Sequence, residues 1–79
     1  MDPHYHINIF WSDDDSCWIA DVPDLRWCSA HGETPQEAAA EIEVAVGLWL
    51  EVAREKAIPI PEPVYRPNGP LEKIDKEAA

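Results

Sequence analysis

The sequence predicts a small α+β domain in which a three- to four-stranded antiparallel sheet packs on one long helix. The expected order is β-β-β-α with room for a final strand. Three observations predict it. An alternating run and a second strand-like apolar run are joined by a short polar turn, a third short run ends at a glycine, and a long amphipathic segment opens with its own capping signal.

From His4 to Trp11 the residues alternate. Tyr5, Ile7, Ile9 and Trp11 share one face, and His6, Asn8 and Phe10 share the other, the period-two pattern of a strand. Ser12-Asp13-Asp14-Asp15-Ser16 is a run of turn formers too charged to bury. Cys17 to Val22 is the second strand, so the pair reads as an antiparallel hairpin. Pro23-Asp24 breaks it, because proline has no amide proton for a ladder. Leu25 to His31 is compatible with a third short strand, ended by Gly32.

The helix is the clearest element. Thr34 suits the N-cap, Pro35 the first helical position, and Glu37 stands three residues after the cap. Pro59 and its restriction on Ile58 stop the helix near Lys56 or Ala57. Ala38, Ala39, Ile42, Ala45, Val46, Trp49, Val52 and Ala53 form one broad stripe at about 100° per residue, wide enough to cover a sheet. Val44 and Leu48 fall outside it, four residues apart and bordered by Glu41, Glu51 and Glu55. Beyond the helix, Pro59, Ile60, Pro61, Glu62 and Pro63 predict a stiff extended segment. Val64-Tyr65-Arg66 is the candidate final strand. Residues 1–66 are expected to form the domain and 67–79 a flexible charged tail.

The 79 residues carry 16 acidic and 6 basic side chains, a formal net charge of −10. Such a chain repels phosphate backbones and anionic membranes, so neither direct nucleic-acid binding nor membrane association is expected. The same field attracts a basic protein. No apolar leader opens the sequence and no run is long enough to span a bilayer, so a cytoplasmic setting with Cys17 and Cys28 as free thiols is expected. A domain of this size draws on disulfides, a metal or self-association for stability, and self-association into a dimer or tetramer is the default.

Chemistry-bearing residues form no recognisable set. Asp13, Asp14 and Asp15 lack the alternating ligands, turn glycine and distal glutamate of a calcium loop. His4, His6, His31 and the two cysteines lack zinc-ligand spacing. On a strand, Cys28 and His31 would point to opposite faces, against a thiol–imidazole pair. No catalytic residue, metal site or cofactor is expected, and the chain is read as a non-enzyme. A small hydrolase or metal-binding protein is the weakest alternative.

Several segments in order resemble a known family: Tyr5 to Ile9, Asp15 to Ala20, Val22-Pro23-Asp24-Leu25, Cys28 to Thr34, and Glu37-Ala38 through Ile42 to Val46. Together they are similar to the HicB-like antitoxin domain of type II toxin–antitoxin systems, over roughly residues 4 to 63. The resemblance implies a partial ribonuclease-H-like fold. It further implies a non-catalytic module that covers a small basic, mRNA-cleaving, HicA-like toxin and associates into dimers or tetramers. This chain departs from the family in two ways. Arg26-Trp27 stands where the family has proline-glycine, and the residues given after Pro63 are too few for the family's DNA-binding module, so binding to its own operator is not expected. An orphan homo-oligomer without a toxin is the runner-up. The residues expected to make protein contacts are Trp27, Val44 and Leu48, with the aromatics Phe10 and Trp18 of the sheet.

Overall fold

The computed structural model describes residues 4–65. Three strands, β1 (Asn8–Ser12), β2 (Cys17–Asp21) and β3 (Ser29–Gly32), precede one helix, α1 (Pro35–Glu55). The sheet is antiparallel throughout in the order β1-β2-β3, with Phe10 opposite Ile19 and Ile19 opposite His31. This is the predicted α+β architecture.

Register assigns the two faces of the sheet. Ile9, Ala20 and Ala30 lie across from one another, as do Trp11, Trp18 and Gly32, and the buried Ala20 marks this side as the one under the helix. Phe10, Ile19 and His31 point the other way. Trp11 and Trp18 meet edge to face, with ring centroids 5.7 Å apart.

The core is small. Ala20, Val22, Leu25 and Cys28 from the sheet and its turn meet Ala38 and Ile42 from α1, with Tyr5, Trp18, Val46 and Trp49 packed around them. Gly32 lets the two layers approach. A Cβ there would lie 2.6 Å from the Ala38 nitrogen and 2.8 Å from the Glu37 Cβ.

Both helix ends are built from local signals. Thr34 is the N-cap, and its Oγ1 accepts from the Glu37 amide at 3.0 Å. The Glu37 carboxylate accepts from the Glu33 amide at 2.8 Å, one residue before the cap itself. At the far end Lys56 is the C-cap and Ala57 has φ 58°. The Ile58 amide donates to Ala53 O at 2.8 Å and the Ala57 amide to Arg54 O at 3.4 Å. This is a Schellman arrangement, with an alanine where glycine is usual.

Several boundaries differ from expectation. β1 begins at Asn8, not His4. In His4–Ile7, side chains hold the chain instead of a ladder: the Tyr5 hydroxyl donates to Pro61 O at 2.6 Å, and His6 Nε2 pairs with Asn8 Oδ1 at 2.7 Å. β3 begins at Ser29, because residues 23–27 are taken up by a turn. The helix ends at Glu55, where the Schellman bonds close it before Pro59 acts. Val64 and Tyr65 are not in a strand, and Arg66 and the tail 67–79 lie outside the described residues. Pro59, Pro61 and Pro63 remove amide donors at alternate positions of this segment, which is docked through Tyr5 and through the Tyr65 amide on Asp24 at 3.3 Å.

The helical stripe is also rotated from its expected position. Leu50 is fully buried, whereas Val52, assigned to the stripe, is 44% exposed. Relative to Ile42 these two lie about 80° to either side of the helix axis, so they are equivalent edges of one stripe. Tyr5 and Ile7 come up beside Glu43 and Val46, on the Leu50 edge. Among the described residues the Val52 edge is not covered in this way, and it borders an open groove with Trp27 and Ile58.

Candidate protein-binding surfaces

Val22, Leu25 and Cys28 are buried, and the chain between them turns tightly. The Val22 amide donates to Cys28 O at 3.1 Å, Leu25 to Val22 O at 3.1 Å, and Cys28 to Leu25 O at 3.3 Å. With its flanks held inside, the tip Arg26-Trp27 must project. Trp27 has φ 63° and is 90% exposed, and the Arg26 guanidinium carbon lies 6.0 Å from its ring centroid. From the helix, Trp49 Nε1 donates to Arg26 O at 2.9 Å and pins the turn.

Beside this tip runs an open apolar groove of about 540 Å³, bounded by Trp27 and Cys28, by Leu48, Trp49 and Val52 of α1, and by Ile58. Among its lining residues Arg26 is the charged one. Leu48 also borders a second depression with Val44, between the helix and β3. Val44 and Leu48 are 59% and 57% exposed, as their place outside the stripe implies.

The expected contact residues thus fall in three places. Trp27 and Leu48 line one groove and Val44 extends it along the helix. Phe10 lies on the outer face of the sheet, in register with Ile19 and exposed. Trp18 points inward and packs against the core. Val52 and Ile58, both groove residues, were not singled out by sequence reasoning; the signal for Val52 was its edge position on the helical stripe.

The titratable groups are scattered. His31, Cys17, Asp15 and Ile19 share a shallow depression on the outer face, and no hydrogen bond joins the first three among the described residues. Cys28 is buried on the core side while His31 is exposed, and burial pushes the Cys28 thiol above its ordinary value. Both cysteines are free. Among the described residues no three His, Cys, Asp or Glu side chains are grouped to hold a metal ion, and no helix is long and apolar enough to cross a membrane.

No family model matches the chain, and no solved structure matches it. One curated relative is similar over 37 residues at 40% identity: UPF0150 protein ssl0259 of Synechocystis sp.. The match takes in 47% of this chain, which spans about half the length, 51%, of that relative.

Proposed function

We propose that this chain is a non-catalytic protein-binding module of antitoxin type, acting in the cytoplasm, whose partner is a small basic mRNA-cleaving toxin of HicA-like character. The observation that carries the reading is the outer face of the sheet. Phe10 and Ile19 stand in register there with no element over them among the described residues. Asp15 lies beside Ile19 and Asp21 ends the same strand, on a chain of net charge −10. An apolar row rimmed by carboxylates complements a basic partner, in which electrostatics speed encounter and apolar contact retains it. The antitoxin part of the reading is drawn from the resemblance of the ordered segments of the sequence, while the partial likeness to a UPF0150 protein names no partner.

The test is to read the neighbouring reading frames for a short basic protein, co-express it with this chain, and capture it on a tag carried by this chain. Wild-type chain is expected to retain the toxin and to relieve its growth arrest. Phe10→Glu should lower capture at least tenfold, about 1.4 kcal/mol. No capture of a toxin verified as active would sink the reading. A second reading, a homo-oligomer with no toxin, draws support from the groove beside Trp27.

A further inference from the structure

Trp27 combines three properties seldom found together. Its side chain is 90% exposed, its backbone is at φ 63°, and its turn is pinned from both sides by buried residues and by the Trp49 indole. A β-carbon in the left-handed region is disfavoured, and a bulky exposed aromatic gains nothing from folding that offsets it. The strain is therefore held by the fold while the indole stays in water, already oriented. Rigid, preoriented tryptophans beside apolar hollows are the usual energetic centres of protein contacts.

We propose that Trp27 is the anchor of a two-fold dimer, inserted into the groove between Leu48, Val52 and Ile58 of a second copy of this chain. The proposal rests on the binding-module reading but not on its toxin, since it concerns this chain alone. Projection and groove lie side by side on one face, which is the self-complementary arrangement that a two-fold axis requires. Charge agrees locally. Arg26 travels with Trp27, while Glu51 and Glu55 stand three residues beyond Leu48 and Val52 respectively, so each arginine would meet the partner's acidic rim. Two indoles would contribute roughly 400 Å² of the about 1,200 Å² that a small stable interface buries. The exposed helix flank at Val44, Leu48 and Val52 adjoins the groove and supplies further area. Large apolar side chains fully buried within the described residues are only Leu25, Ile42, Leu50 and Val22, fewer than the large apolar residues left exposed.

Sedimentation equilibrium of the full chain tests this. The wild type is expected at twice the monomer mass, or at a multiple of that dimer. Its association should strengthen with added salt, because long-range repulsion between two copies of charge −10 outweighs the exposed Arg26 contacts at the rim of an otherwise apolar seam. Trp27→Gly should raise the dissociation constant about 100-fold. The same substitution should leave the melting temperature of the dilute monomer unchanged or higher, because glycine accepts φ 63°. Leu48→Glu should dissociate the dimer with Trp27 intact, and Phe10→Ser should leave the mass unaltered. A wild-type chain that is monomeric at about 100 μM overturns the proposal. So does a Trp27→Gly variant that keeps its mass, or association that weakens with salt as contact with a basic partner would. None of these outcomes bears on toxin capture by the outer face.

Discussion

The Trp49 indole nitrogen donates to the backbone oxygen of Arg26 at 2.9 Å, joining the middle of the helix to the tip of the turn that follows the second strand. The two residues are 23 positions apart, and the bond explains how an exposed turn keeps one conformation. Trp49→Phe retains a ring in the packing and removes the donor. Stability should fall by about 1 kcal/mol, read from the urea midpoint. Hydrogen exchange at the Trp27 and Cys28 amides should accelerate more than at β2, which distinguishes a loosened turn from general weakening.

Gly32 carries a different constraint. An added methyl would meet the backbone of the first helical turn at Ala38 and Glu37, atoms that cannot swing aside. Gly32→Ala should destabilise the domain by roughly 2–3 kcal/mol, as forced separation of packed layers does. Gly47 is the control, since nothing lies within 4 Å of its would-be Cβ. Gly47→Ala in the helix interior should stabilise by roughly 1 kcal/mol. Thermal denaturation of the pair checks both signs.

Ala57 ends the helix at φ 58° in a position that suits glycine. Ala57→Gly should raise stability by about 1 kcal/mol, because relief of the left-handed penalty outweighs the entropy of a freer unfolded chain. A loss of stability on this substitution would mean that the Schellman bonds from Ile58 and Ala57 are not what closes the helix.

Cys28 sets an alkaline limit. Its thiol is desolvated in the core, so the folded state releases the proton at a higher pH than the ordinary value of 9.0 at which the unfolded chain does so. Stability is therefore complete below that value and falls as pH rises above it. Urea midpoints measured from neutral pH to well above 9.0 should decline more steeply for wild type than for Cys28→Ala. Equal slopes would remove the thiol from the account.

Much of this structure is legible along the chain because its signals are local. The hairpin follows from alternation before Ser12 and a strand-like apolar run after Ser16, and the helix start from Thr34, Pro35 and Glu37, whose bonds span three or four residues. Val44 and Leu48 were legible as exposed because the helical period alone separates them from the stripe. The final strand expected at Val64 and Tyr65 was not formed. The prolines that make the segment stiff also remove its donors, and its anchors, Tyr5 and Asp24, are 56 and 41 residues distant.

The contact surfaces divide in the same way. Residue types near Trp27 announce a large aromatic where a turn wants glycine, and periodicity announces Leu48. Nothing in the linear order places the two in one groove, since that depends on the helix crossing the turn at Trp49.

Sequence by itself determined the element order, the capped helix and its apolar stripe, and an acidic surface, because each depends on period, capping or charge within a few residues. Tertiary structure alone decided which edge of the stripe is buried, Leu50 and not Val52, and how closely Gly32 lets the helix approach. It also decided that Trp27 stands outside in the left-handed region. Packing decides these three because each depends on where a distant segment comes to rest, and neither edge of a helical stripe nor either end of a turn carries that information in its own residues.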